Sequence, residues 1–448
     1  MSRGCSRRIA ALLGAVLLLA AGCGGDSSSP PPPDGPPFAL SDFSAPETCA
    51  GCHPNHYAEW SSSMHAYAFK DPVFFAMNFA ELERTNGELG QFCIGCHTPI
   101  GTLTGTTPDR PFDPESMPAI VQAGISCDVC HSMTAATPGA TEDGVELALD
   151  PGDTKYGPLP PFDAGPGVHR GAQNLELFAN SGICRACHNL TVRGNGLERT
   201  FEEWENSIFA SRPDKHCQGC HMPSYAGRAA TNGPERPTLH RHWFTGVDVA
   251  LTDGFPDHEG NVERVRALLA DAVTFAVDAP AVVAAGDTAE VRVTVTNDRT
   301  GHAIPSGTSF SRQMWVEIVA ASEADTLYRS GNLDANGDLR DANSALEPNA
   351  DPDLMLFTSV LEGGDDVTVF TATGIRESML QPLAPDDSRT QVYRVPVPAG
   401  ATAPVAVSAR LRFRALPPYK VRAAGLPELV ARIPIFDMET ADRTIALR

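Results

Sequence analysis

Five times the chain sets two cysteines two residues apart and follows the second at once with histidine. The runs are Cys49-Ala-Gly-Cys52-His53, Cys93-Ile-Gly-Cys96-His97, Cys127-Asp-Val-Cys130-His131, Cys184-Arg-Ala-Cys187-His188 and Cys217-Gln-Gly-Cys220-His221. Cys-x-x-Cys-His is the attachment signature of c-type haem. Two thiols at that spacing form thioethers to one porphyrin, and the adjacent imidazole supplies the proximal iron bond. A disulfide framework or zinc knuckles would also use paired cysteines, but neither needs a histidine after each pair. With only 13 histidines in 448 residues, five in register select haem. The chain is therefore expected to carry five haem c groups, each with its iron, and to fold around them.

The N-terminus holds Arg3, Arg7 and Arg8, then an apolar run from Ile9 to Ala21. That run is too short to cross a bilayer as a helix, so residues 1–22 read as a signal peptide. It leads into Leu19-Ala20-Ala21-Gly22-Cys23, which resembles a bacterial lipoprotein cleavage box and makes Cys23 the expected lipidation site. Residues 23–44, with their Gly-Gly-Asp-Ser-Ser-Ser-Pro-Pro-Pro-Pro stretch, have the composition of a flexible tether. Cys5 falls in the leader and Cys23 on lipid, so the other ten cysteines are all taken by haem. The expected location is outside the cytoplasm, lipid-anchored at the outer membrane on its periplasmic face or at the cell surface. A formal charge of -21 excludes a nucleic-acid surface and favours redox partner proteins with basic docking patches.

The composition divides the rest of the chain in two. Residues 45–260 hold every haem signature and read as short helices and loops draped over porphyrins. Helices are expected near 57–70, 73–85 and 197–211, and loops in the Pro- and Gly-rich stretches 99–114 and 152–167. One internal repeat stands out: Tyr57-Ala-Glu59-Trp60-Ser-Ser-Ser63 matches Phe201-Glu-Glu203-Trp204-Glu-Asn-Ser207. From about residue 265 to 448 no cysteine occurs, and apolar and polar residues alternate. The runs are 290–296, 314–319, 367–370, 391–395 and 405–413. Such alternation broken by turn residues predicts an immunoglobulin-like β-sandwich, and the whole an α+β chain of two domains. Asp334-Ala-Asn336-Gly337-Asp338 faintly suggests a calcium loop, but an acidic turn is the better reading.

Function turns on the second face of each iron. Eight histidines are not used by the signatures: His56, His65, His169, His216, His240, His242, His258 and His302. Order and motifs across residues 46–250 resemble the multihaem cytochromes related to cytochrome c554 and hydroxylamine oxidoreductase. The residues that carry this begin with Tyr57, Glu59-Trp60, Ser63 and His65-Ala66 after the first signature. Tyr156-Gly157-Pro158 and His169 then precede the fourth signature, and Met222-Pro223 and His242-Trp-Phe244-Thr-Gly246 follow the fifth. The resemblance implies that His65, His169 and His242 are distal ligands, with His240 competing for the site of His242 or serving another. The segment Asn297-Asp-Arg-Thr-Gly301-His302-Ala-Ile-Pro305-Ser-Gly307 resembles a module fused to such cytochromes, and His302 is expected to reach a haem. His56, His216 and His258 read as ordinary histidines. Electron transfer through the haems is the expected role, with no catalytic residue. A haem oxidoreductase using one open iron for hydroxylamine, nitrite or tetrathionate is the alternative, and a conductive filament subunit is a second one.

Overall fold

The computed structural model describes residues 35–448 except 164, 166, 193, 363–376 and 381. The leader, Cys23, most of the tether and the expected strand 367–370 lie outside the described residues. The end of the expected tether does not behave as one. Leu40–Asp42 makes a helical turn, and Phe43 is buried against Ile100 and Val129.

Up to about residue 250 the chain is a succession of short helices, most of them opened by a proline or a polar cap. Pro54–Ser61 starts on Pro54, and Met64–Tyr67 is capped by the Ser63 hydroxyl, which accepts from Ala66 N. Pro72–Arg84 is capped by Asp71, whose carboxylate accepts from Val73 N. Proline at the first helical position loses no internal hydrogen bond and presets the backbone. This corrects the loop expected over 99–114: Pro99 opens a helix, Pro99–Leu103. The stretch 152–167 is likewise not all loop, because Thr154–Gly157 pairs in parallel with Arg170–Gln173. The helix expected over 197–211 begins as the strand Asn195–Glu198 and turns helical only at Thr200–Glu205.

Apolar residues of this part do not gather into one core. They form separate clusters, such as Phe69, Phe75, Ile94 and Val121, or Phe201, Trp204 and Phe209. Between them runs one continuous cavity of about 2290 Å³. A pocket for a single ligand is roughly 300–1,000 Å³, so this space is built for several large groups.

The C-terminal part is a two-sheet sandwich. Thr274–Asp278, Thr288–Thr296 and Ser388–Pro396 form one antiparallel sheet. In the other, Phe436–Leu447, Val405–Arg414, Gln313–Ser322 and Asp325–Ser330 follow in that spatial order. Period-two alternation sends Ala289, Val291, Val293 and Val295 inward against Met314, Val316, Ile318, Val407, Ala409 and Leu411. Each of the Val, Ile, Leu and Met side chains contributes about 1.5–3 kcal/mol by leaving water. The helix His258–Ala270 crosses the expected boundary at 260–265 and adds Val265 and Leu269 to the same core. Val73 joins it from the helix-rich side, so the two parts are packed together.

Candidate haem sites

All ten signature cysteines and all five signature histidines line the cavity. Each signature is itself one turn of helix or close to it, as in Cys127–His131 and Cys217–His221. That turn brings both sulfurs and the imidazole to one side. None of the ten cysteines is in a disulfide, which leaves every thiol for a thioether.

Four signature histidines face a second histidine across the cavity. His53 and His169 have ring centres 6.1 Å apart, His65 and His188 6.3 Å, His131 and His242 6.3 Å, and His221 and His302 6.2 Å. Two metal–imidazole bonds of about 2 Å each, plus about 1 Å from each Nε2 to its ring centre, give about 6 Å. The spacing fits one iron between each pair. Hydrogen bonding agrees with it. Nδ1 of His53, His97, His131 and His221 donates to the carbonyls of Ala229, Ala68, Tyr156 and Thr245 at 2.7, 2.9, 2.7 and 2.6 Å. Across the cavity, His169, His242 and His302 donate to Arg170, His240 and Ala303 at 3.2, 3.0 and 2.9 Å. A carbonyl only accepts, so the proton stays on Nδ1 and the Nε2 lone pair is left for metal. Burial pushes the His65, His97 and His188 imidazoles down, to about 3, 4 and 4, and lowers His131, His221, His242 and His302 as well. Neutral imidazole is the ligating form.

The competing histidines are placed differently. His240 gives its Nδ1 proton to Met222 O at 2.6 Å, but His242, not His240, faces His131. His56 has its Nε2 engaged by the Tyr225 hydroxyl at 2.9 Å, and His258 uses Nε2 on Ala250 O at 3.1 Å. His216 contacts Ser181 Oγ at 3.3 Å. No histidine ring pairs with His97 among the described residues. Its ring neighbour is Phe74, stacked at 3.6 Å and 7°.

The internal repeat reads from the sequence as a duplicated helix with a ligand kept in one copy, His65 against Phe209, and the structure adds a second purpose. Glu59 accepts from His242 N at 2.9 Å and from Arg241 at 2.6 Å. Glu203, its counterpart, accepts from Ala303 N at 3.1 Å, next to His302. Each copy thus ties down a segment that carries a facing histidine. Trp60 and Trp204 both donate their indole N–H to a backbone carbonyl, that of Ile125 and that of Lys215, at 2.8 Å. His56, Glu59 and His242 lie close enough together to suggest a metal ion. Their hydrogen bonds read instead as the support of His242. The acidic turn at Asp334 is closed by its own chain: Asp334 accepts from Asn336 N, Asp338 N and Ser344 Oγ, and Asp338 pairs with Arg422.

Sequence reasoning also missed Arg236, Arg264 and Arg312. All three line the cavity, and each has a buried Nε without a partner. A buried unsatisfied donor costs about 1–3 kcal/mol, and the carboxylates of haem propionates are acceptors that fit. Contacts between signatures give their spatial order. The thiols of Cys49 and Cys127 lie within reach of each other, as do those of Cys184 and Cys217 and of Cys96 and Cys187. Cys130 lies within electrostatic reach of both Cys184 and Cys187. The run is first, third, fourth, fifth, with the second signature branching from the fourth. Cys52 and Cys220, at the two ends of that run, are exposed.

Residues 48–132 match the family described as cytochrome c554 and c-prime. No protein of curated function matches the chain. Among solved structures it is similar to a penta-heme cytochrome c552 from Thermochromatium tepidum, with 20% identity and a TM-score of 0.61 over 90% of this chain and 99% of that one. At that identity the likeness is one of fold. A CARDB domain from Pyrococcus furiosus, solved in complex with di-metal ions, matches 39% of this chain and 87% of its own at 11% identity. Its TM-score is 0.17, and it carries no argument. With the signatures, the paired imidazoles and the family match in agreement, the chain is a multihaem c-type cytochrome related over residues 48–132 to cytochrome c554.

Proposed function

We propose that the protein binds five haems and conducts electrons along them, held at a membrane by a lipid on Cys23. The observation that carries this reading is the run of neighbouring signatures with exposed cysteines at both ends. Haem supplies one-electron chemistry at each iron when bound. The chain's part is to fix the irons in order, hold four of them between facing imidazoles and bury the middle of the run. Two strong ligands keep iron geometry nearly unchanged on reduction, which favours fast transfer over substrate chemistry. The partners in this reading are redox proteins docking at the His53 and His221 ends. No helix of the described residues is long and apolar enough to cross a membrane. In this reading the lipid on Cys23 does the anchoring, with the outer membrane as the proposed site.

One observation favours a second reading. Among the described residues His97 has no facing histidine, so its iron would keep a position for a small nitrogen or sulfur species such as hydroxylamine, nitrite or tetrathionate. Protein-film voltammetry separates the two readings. Reversible waves unchanged by these compounds support a carrier. A catalytic current that cyanide abolishes supports chemistry at the His97 site and would overturn the purely conducting reading. Intact mass should exceed that of the polypeptide by five haems, and four or fewer would contradict the proposed count.

A further inference from the structure

Where the sandwich meets the helix-rich part, Glu198, Thr200, Ser306 and Glu203 form an unbroken row of oxygen contacts. Thr200 Oγ1 touches Glu198 Oε1 and lies 2.8 Å from Ser306 Oγ. Ser306 Oγ lies 2.7 Å from Glu203 Oε2. Three contacts in line need three protons, and the two hydroxyls bring only two. With both carboxyls ionised, each hydroxyl would turn to its own carboxylate. The Thr200–Ser306 contact would then set two lone pairs against each other. Gly307 N and Ala303 N, both at 3.1 Å, donate from outside the row and do not repair it. One extra proton completes it in either direction.

We infer that Glu198 and Glu203 share one proton, passed between them through Thr200 and Ser306, and that the row takes up and releases it as neighbouring irons are reduced and oxidised. Glu198 is 7% exposed, and its Oε2, buried and without a partner, belongs to the cavity wall. Glu203 is half-buried, nearer to water. The row therefore leads from the haem cavity toward the surface.

The groups facing the two carboxyls agree with a held proton. Burial pushes Glu198 up to about 7, with the nearby Glu203 and Cys217 adding to the rise, while the bonds from Thr200 oppose it. Cys187 also faces it. Cys187 and Cys217 no longer titrate once they are thioethers. Burial raises Glu203 too; Ser306, Ala303 N and Arg199 pull it down, and Glu202 pushes it up.

The balance is simple. One electron arrives from an external one-electron donor, and one proton enters from water at Glu203. Glu203 gives a proton to Ser306 Oγ, Ser306 gives its own to Thr200 Oγ1, and Thr200 gives its own to Glu198 Oε1. Only O–H bonds are made and broken, and the added negative charge is met by an added positive one. Oxidation runs the row backward. The driving force rests on the electron-transfer reading, whereas the shared proton rests on the four side chains alone.

Spectroelectrochemical titration of the haem-loaded protein from about pH 6 to about pH 9 tests the coupling. One haem transition should fall by up to about 59 mV per pH unit, a tenfold proton dependence per unit converted at one electron. Glu198→Gln should flatten it while haem content and low-spin fraction stay unchanged. Glu203→Gln serves as the second variant and should weaken the same slope. Midpoints that are flat in the unmodified protein would overturn the coupling. A slope that survives both substitutions would also overturn it, by placing the proton on the propionates. The infrared spectrum of the reduced protein, held at one potential, reads the shared proton separately from any electron transfer. A carboxylic C=O band near neutral pH is expected, lost in the double variant; its persistence there would contradict the shared proton.

Discussion

At the scale of single residues, the sites are organised by where each imidazole keeps its proton. Seven of the ligating candidates give Nδ1–H to a backbone carbonyl, and the backbone thereby aims Nε2 at the cavity. His302→Ala is therefore expected to convert one low-spin haem to high-spin without loss of any covalent haem, as read by electron paramagnetic resonance. An unchanged spectrum would remove His302 from the ligands. Asp71 offers a test by pH. Burial raises its carboxyl from the ordinary 3.8 to about 6, so the folded state holds this proton more tightly than the unfolded chain. Stability should fall as pH rises from about 4 to about 6, because the unfolded chain loses the proton first. Asp71→Asn keeps an N-cap acceptor and removes the charge. Above pH 6 it is expected to raise stability by on the order of 1 kcal/mol, discounted because the residue is only half-buried. Denaturant titration at pH 5 and pH 8 reads the difference.

At the scale of elements, the short helices matter for what they hold in place. Gly124 has a φ of +66°, and a Cβ there would come 2.4 Å from the carbonyl oxygen of His65, the same oxygen that accepts from Ile125 N at 3.1 Å. Gly124→Ala should cost about 1–3 kcal/mol in thermal unfolding and turn the His65–His188 site high-spin. A variant with an unchanged melting temperature and spectrum would show that this backbone does not position His65. Much of this scale was legible in the sequence. The sandwich strands followed from alternation, because one face of each is buried and the other is wet. The signatures named their own attachment residues. What escaped was set by contacts distant in the chain: the helix opened by Pro99 inside an apparent loop, and the helix His258–Ala270 across the expected boundary. The repeat around Glu59 and Glu203 was visible as a pattern. The role of its glutamates was not, because Glu59 works on a segment 183 residues away.

For the whole molecule, the sandwich is more than a cover. Its Gly301–Gly307 segment supplies His302 to face His221 and contributes Ser306 to the row at Glu198. Removing the C-terminal part should therefore cost one low-spin haem as well as stability. The histidine pairing is the central claim about the site. The sequence offered eight facing candidates for five signature histidines, and spacing in the chain alone did not choose among them. Folding sets four across the cavity from a signature histidine at 6.1–6.3 Å, places His56 6.3 Å from His53 with its Nε2 taken by Tyr225, and leaves His97 beside Phe74. Electron paramagnetic resonance of the oxidised protein, with haem quantified on the same sample, tests this most directly. Four low-spin haems and one high-spin haem are expected, and the high-spin signal should shift on adding cyanide. Five low-spin haems, or fewer than four, would contradict the pairing.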